Sequence, residues 1–242
     1  MSVRPTIIIL AVLWPLLLQP LDATGQSDGG RGIMVDDFER YEEGGLPVRW
    51  SYLHDRQLVA LTEQYMRPKE RFTVVSDHGN KVLRVQTEGE AVHLTLANGT
   101  DVLDWRLSEL PVLTWEWRAL SLPNGAREDI DSLNDSAAAL YVVFSLEGFL
   151  VKRPKTIKYV YSSVLPEGTV VSYGKLKVVV VSSGATDGWK SVRRNLVEDY
   201  RTLFGGDPPD NPLSIRLWGD SDNTGERAVA DFDNIRLSPA SE

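Results

Sequence analysis

Residues 113–118 read Leu-Thr-Trp-Glu-Trp-Arg, a pattern typical of a β-strand with one buried face. Leu113, Trp115 and Trp117 alternate with polar residues, and alternate side chains of an extended chain point to the same side. Aromatic residues also suit the pleated, half-buried surface of a sheet. We therefore predict a strand here, with both tryptophans in a core.

The same alternation recurs along the chain in both directions from this segment. It predicts strands over residues 92–97, 140–146, 157–162 and 213–217, and further strands are expected at 33–39, 71–77, 81–87, 176–182 and 227–237. His78-Gly79-Asn80 separates two of these strands and predicts a hairpin.

One segment, residues 195–204, predicts a helix, because Asn195 can cap its start and Gly205 can end it. The strands do not alternate regularly with helices, so we expect an all-β fold: an antiparallel sandwich of the jelly-roll kind.

The amino terminus has the pattern of an export signal. Arg4 precedes an apolar run from Thr6 to Leu18, and Ala23 and Gly25 supply the small residues that signal peptidase prefers. The run is too short and too interrupted by proline to span a membrane comfortably. We expect a signal peptide over residues 1–25, a flexible leader over 26–32 and one sandwich domain over 33–238, with no span in the mature protein.

Composition excludes several classes of function. The net charge is −8, and no run of basic residues is longer than two, as at Arg193-Arg194, whereas a nucleic-acid-binding surface needs a basic patch. The chain contains no cysteine, so neither disulfides nor a thiolate metal site can form. There is also no phosphate-binding glycine loop and no nucleophile elbow.

Carboxylates near the two ends of the domain are candidate ligands of a structural calcium ion, the alternative being a hydrated or arginine-paired strand end. Asp37 and Glu39 belong to the first strand, and Asp231 and Asp233 to the last. Both aspartates of the last strand are in phase with Ile235, so they would face the interior, where carboxylates need a cation or an arginine.

A second set of residues forms the predicted ligand site, which combines carboxylates with a tryptophan out of phase with its strand. Its candidate members are Glu116, Arg118, Asp135, Trp218, Asp220, Asp222 and Asn223. The segment 220–225 is compatible with either a calcium loop or a hairpin turn. The other aromatic residues, at period 2, are expected in the core.

Several motifs resemble those of the bacterial domain of unknown function 3047, in the same order and over nearly the whole mature chain. They are Asp37-Phe38-Glu39, Trp115-Glu116-Trp117-Arg118, Tyr141-Val142-Val143-Phe144, Ser182-Ser183-Gly184, Trp189 through Arg194-Asn195, Asp199-Tyr200, Phe204-Gly205 and the segment 220–225. The resemblance implies a protein of the Gram-negative envelope, located in the periplasm.

The chain is more distantly similar to carbohydrate-binding jelly rolls with galactose-binding-like folds. In those folds a structural calcium ties the first strand to the last, which implies Glu39 and Asp233 as ligands here and Asp37 as a weaker candidate.

Three classes of function are compatible with these features. A non-catalytic binding protein, with a glycan or another envelope component as ligand, is favoured because no catalytic constellation stands out. The alternatives are a saccharide-active enzyme on the same scaffold, which would need two carboxylates in one cleft, and an assembly protein with an exposed apolar patch.

Overall fold

The alternating segments pair into two sheets whose apolar faces meet. The computed structural model describes residues 32–55, 57–184 and 188–241. The predicted signal peptide lies outside these residues, as does the predicted leader apart from Gly32.

The first sheet has six strands, with the order β12-β7-β14-β5-β4 and β1 paired to β14. They are β1 (Ile33–Asp36), β4 (Glu70–Asp77), β5 (Asn80–Glu88), β7 (Val112–Ser121), β12 (Lys190–Asn195) and β14 (Arg227–Ser238).

The second sheet has eight strands in the order β10-β11-β9-β8-β13-β6-β2-β3. They are β2 (Ser51–His54), β3 (Gln57–Ala60), β6 (Ala91–Ala97), β8 (Ser136–Glu147), β9 (Arg153–Ser162), β10 (Val170–Tyr173), β11 (Leu176–Ser183) and β13 (Ser214–Asp220).

The predicted all-β sandwich is confirmed, and its first and last strands are neighbours: Ile33 pairs with Leu237. One pairing departs from the antiparallel expectation, because β11 runs parallel to β9. The chain leaving β9 crosses to the sheet edge, forms β10 there and returns as β11 between the two. The predicted hairpin of β4 and β5 is present, with His78 and Gly79 at positive φ in the turn.

The core lies between the sheets and contains the period-2 aromatics, as predicted. Trp115 packs against Tyr159 with ring centroids 5.5 Å apart, and Trp117 against Tyr161 at 5.8 Å. All four are buried. Gly219 lets the end of β13 approach the other sheet closely, since a Cβ there would lie 2.8 Å from Cγ1 of Val85.

The predicted helix is also confirmed. α1 spans Leu196–Phe204, and the Asn195 side chain accepts hydrogen bonds from the backbone N–H groups of Val197 and Glu198. Tyr200 is buried and packs edge-on against Phe144. In the part of the chain that the structure describes, no helix has the length and apolar character needed to cross a membrane.

Candidate functional site

The outer face of the eight-stranded sheet carries a groove of about 380 Å³. Because Ile215 and Leu217 of β13 point into the core, Arg216 and Trp218 point the other way. Strand pairing places Tyr141 of β8 beside Arg216, and Lys158 of β9 beside Tyr141. The groove is lined by Ala91, Asn134, Tyr141, Val143, Pro154, Thr156, Lys158, Leu176, Arg216, Trp218, Asp220, Asp222 and Asn223.

Three aromatic rings form one wall of this face. Trp218 stacks on His93 with ring centroids 4.3 Å apart and an interplanar angle of 12°, and Tyr141 lies 4.8 Å from Trp218 on a tilted plane. Burial, with a smaller effect of Arg216, lowers the pKa of His93 to about 4. The imidazole is therefore neutral at neutral pH, and the wall carries no charge.

The groove also contains buried polar atoms that lack a partner. They are Oδ1 of Asn134, Oγ1 of Thr156, Nε of Arg216 and Nε1 of Trp218, all on lining residues. A buried polar atom without a hydrogen bond costs free energy. Other such atoms of the described residues lie away from the groove, for example Oγ1 of Thr62 and Nε1 of Trp115, so the relevant observation is that four of them surround one open groove, where a polar ligand could reach them.

One charged pair in the groove is already complete. Nζ of Lys158 lies 3.0 Å from Oδ2 of Asp220, and both groups are buried. Burial opposes the Lys158 charge, but Tyr141 and Asp220 outweigh it and raise the pKa of the ammonium. Burial also raises the pKa of Asp220, against the opposing effect of Lys158.

Asp135 holds the segment 220–225 in place. Its carboxylate accepts hydrogen bonds from the backbone N–H groups of Asn223 and Thr224 and from the Thr224 hydroxyl, at 3.1, 2.7 and 2.6 Å. The segment does not close a hairpin, because it links β13 in one sheet to β14 in the other. Asp135, Asp220 and Asp222 bring one oxygen each within 4.8 Å of one another; Asp220 is paired with Lys158, and Asp135 accepts the three hydrogen bonds just described.

The predicted ligand-binding residues divide between two faces. Trp218, Asp220, Asp222 and Asn223 line the groove, with Asp135 directly behind them. Glu116 and Arg118 lie on the outer face of the six-stranded sheet. There Glu116 accepts hydrogen bonds from Ser191 and Asn234, and Arg118 lies over the ring of Trp189.

The predicted metal ligands are arranged differently from the expectation. Asp231 does not face the interior: Asn234, at φ 50°, forms a bulge that reverses the alternation between Asp233 and Ile235. Asp231 is instead buried on the outer face, where Nε of Arg84 donates to Oδ1 at 2.8 Å and Nε of Arg118 donates to Oδ2 at 2.9 Å. Its charge is thus balanced by arginines.

Of the other predicted metal ligands, Glu39 and Asp233 are each bound to nearby donors. The amide of Lys81 donates to Glu39 at 2.8 Å, and the side chain of Asn80 donates to Asp233 at 2.7 Å. Burial raises the pKa of Asp233 to about 6, and Glu116 and Glu39 act in the same direction. Asp37 accepts a hydrogen bond from the amide of Glu39. A calcium site at Glu39 and Asp233 stays a prediction.

Sequence reasoning missed His93, Tyr141, Thr156, Lys158 and Arg216. Each lies on a predicted strand, or directly before its predicted start in the case of Thr156, at a position whose side chain points away from the core, and this orientation could be inferred from the sequence. The sequence pattern could not show that these residues form one site, because it does not tell which strands are neighbours.

A second cavity, of about 390 Å³, lies between β11, β12 and α1. Its charged groups are already paired: Nε of Arg194 donates to Asp199 at 2.8 Å, and the same carboxylate accepts from the Tyr159 hydroxyl at 2.7 Å. The groove with unsatisfied polar atoms is therefore the stronger candidate.

Solved structures that resemble this chain include carbohydrate-binding modules. The family 11 module of the cellulosomal cellulase Lic26A-Cel5E of Clostridium thermocellum is 13% identical, with a TM-score of 0.44 over 87% of this chain and 96% of the module. The family 30 module of cellulase Cel9D-Cel44B of the same organism is 11% identical, with a TM-score of 0.43 over 83% and 96%. Likeness of this degree says nothing about what the groove binds.

The sequence was also compared with curated proteins and with protein-family models. No curated protein matches the chain. A family model described as "Protein of unknown function (DUF3047)" matches residues 59–236.

Proposed function

The chain belongs to the DUF3047 family, and from its groove we propose that it is a non-catalytic saccharide-binding protein. The observation that carries the proposal is the combination of an apolar aromatic wall with unsatisfied buried polar atoms in one groove. Sugars present the same combination: C–H groups on the ring faces and hydroxyls around the rim. A volume of about 380 Å³ is within the usual range for small-ligand sites.

Binding without catalysis is supported by the state of the carboxylates. Glycoside hydrolysis needs two carboxyl groups free to act on opposite sides of one bond. Here Asp220 is paired with Lys158, and Asp135 is bound to backbone amides. Asp222 is left as an exposed acceptor for ligand hydroxyls, and Glu116 lies on the opposite face of the sandwich.

Titration calorimetry of the purified protein against a panel of oligosaccharides tests the proposal. Trp218→Ala should weaken the binding of any ligand found by at least about tenfold, because it removes the centre of the aromatic wall. Trp189→Ala is the matched control, since Trp189 directly precedes β12 of the other sheet and its ring lies under Arg118. Equal effects of the two substitutions would contradict the proposal, and so would release of reducing ends during incubation.

We propose further that the protein acts in the periplasm after cleavage of residues 1–25. The support is the sequence pattern of Arg4, the apolar run and the pair Ala23 and Gly25. Mass spectrometry of the exported protein should then find a start near Gln26. Recovery of Met1 on the mature protein would contradict it.

A further inference from the structure

Arg216 is a half-buried cation, and among the described residues no anion is paired with it. Its Nε atom is inaccessible to solvent and has no hydrogen-bond partner among those residues. Among the residues that the structure describes, none places a carboxylate oxygen within 4.0 Å of its guanidinium. The neighbours across the sheet are Tyr141 and Thr95, and neither carries a charge that could balance it.

Several other cations that are buried or half-buried among the described residues have a carboxylate partner. Lys158, in the same groove, is paired with Asp220, while Arg84 and Arg118 share Asp231 and Arg194 is paired with Asp199. An unpaired charge removed from water is expensive, and proteins normally supply a partner. The cost at Arg216 shows in the effect of burial, which lowers the pKa of the guanidinium.

The position of Arg216 makes this charge available to a ligand. Arg216 lines the groove, and its two sheet neighbours leave its charge without a counter-ion. A guanidinium binds a carboxylate through two parallel N–H···O bonds, a geometry that gives both strength and orientation.

We infer that the saccharide bound in this groove is acidic, with a carboxylate of a hexuronate unit pairing with Arg216. The inference rests on the proposed saccharide binding and names the class of its ligand. The carboxylate of the ligand would balance the positive charge of the Arg216 guanidinium.

The opposite end of the groove limits how much negative charge the ligand can carry. Asp220 lies four residues further along β13, which corresponds to about 13 Å of extended strand, and Asp222 follows it. Carboxylates there repel a second anion and accept hydrogen bonds from hydroxyls. The groove therefore favours an acidic unit next to hydroxyl-rich ones and disfavours a densely charged polyanion.

Calorimetry tests the inference with oligomers of galacturonate, glucuronate and mannuronate, each compared with its neutral hexose counterpart. At least one uronate should bind about tenfold or more tightly than its counterpart at low salt. This difference in affinity should be smaller in about 0.3 M NaCl, because salt screens ionic contacts. A sulfated oligomer of equal length tells a carboxylate site from a general oxyanion site, and tighter binding of the sulfated oligomer would overturn the assignment of a carboxylate.

Two arginine variants provide the controls. Arg216→Gln removes the charge and keeps hydrogen-bonding groups, so the preference for the uronate should disappear while neutral binding remains. Arg236→Gln makes the same change in net charge on the other sheet and should keep the preference. Arg216→Lys should retain part of it. If Arg216→Gln does not fold, the uronate-to-neutral ratio and its salt dependence in the natural protein still decide the matter.

The outcomes separate this inference from the proposed function. Neutral and acidic oligomers of equal affinity, with no salt dependence, would overturn the acidic assignment and leave saccharide binding intact. Absence of binding by every oligomer of both classes would overturn the proposed function and this inference with it.

Discussion

Asp231 lies buried on the outer side of β14 between two arginines, Arg84 of β5 and Arg118 of β7. Its substitution by alanine removes the shared anion and leaves the Arg84 guanidinium without its carboxylate, whereas Arg118 keeps Asp77 at 3.1 Å. Removing one partner of a buried ion pair destabilises a protein more than replacing both partners with apolar residues, because the remaining charge is left buried and unpaired. The interaction therefore joins three neighbouring strands at a single carboxylate.

We expect Asp231→Ala to lower the free energy of unfolding by about 2–3 kcal/mol, somewhat below the value of about 3–5 kcal/mol for fully buried pairs, because Arg84 is partly exposed. Urea denaturation measures it. Glu88 of β5, in the same sheet, is a solvent-exposed partner of Lys69. Glu88→Ala should therefore leave the free energy of unfolding nearly unchanged. Equal effects of both substitutions would contradict the assigned role of Asp231.

His93 gives the protein an acid-sensitive contribution to stability. Its pKa in the folded protein is about 4, against an ordinary value of 6.5. Between these values the unfolded chain binds a proton that the folded protein does not, so stability should fall as pH decreases from about 6.5 to 4. His93→Phe keeps a ring beside Trp218 and cannot take up the proton. Thermal melts over this pH range should show a shallower slope for the variant, and identical slopes would refute the buried neutral imidazole.

At the scale of the elements, α1 is attached to the sandwich through its two buried side chains, Leu196 and Tyr200. Tyr200 is buried against Phe144 and Phe204, with the ammonium of Lys155 4.7 Å from its ring centroid. Tyr200→Ala should cost about 3 kcal/mol, as expected for a large buried side chain. Tyr200→Phe, which keeps the ring, should cost much less. A change within about 0.5 kcal/mol for the alanine variant would place the ring on the surface.

Calcium binding at the contact between the first strand region and the last stays a prediction, with Glu39 and Asp233 as ligands. An ion bound only to the folded protein would stabilise it by mass action, and it would relieve the repulsion that Asp233 experiences from Glu116 and Glu39. Melting temperatures in calcium should then exceed those in chelator, and Asp233→Ala should remove the difference. Equal melting temperatures for the natural protein would exclude the site.

The long strands and the helix could be predicted because their signals are local. Alternation over residues 113–118 and the cap at Asn195 depend only on neighbours in sequence. β12 escaped prediction, since Lys190–Asn195 is mostly polar and forms a strand through its pairing with β7. The inward orientation expected for Asp231 was wrong, because a single residue, Asn234, shifts the phase and its sequence gives no sign of a bulge.

The candidate site could be predicted only in part for a related reason. Trp218 and the segment 220–225 were identified because they break a local pattern. Arg216 and Lys158 follow the pattern, and their significance comes from pairing between strands that are far apart in sequence. Strand order is a property of the whole chain, so the unpaired charge of Arg216 could not be recognised before the sheet was assembled.

For the whole molecule, the two outer faces carry different chemistry. The outer face of the six-stranded sheet carries paired charges around Asp231. The outer face of the eight-stranded sheet carries a groove in which several buried polar atoms, among them Nε of Arg216, lack hydrogen-bond partners among the described residues. The two faces lie on opposite sides of the core. Substitutions of surface side chains on one face should therefore leave the other face intact. This separation makes Trp189 and Arg236 suitable controls for Trp218 and Arg216.

The central positions of β13 and β14 also bear on the order in which the polypeptide can fold during synthesis. β13 lies between β8 and β6, and β14 between β7 and β5, so both sheets are completed by strands made last. Earlier strands must wait with unpaired edges until the ribosome has released the carboxy-terminal region. Nascent chains stalled after residue 213 should therefore be digested rapidly by protease and full-length chains should resist it, because pairing of this kind is non-local and slow. Protease resistance of the stalled chains would show instead that the sandwich can close without its central strands.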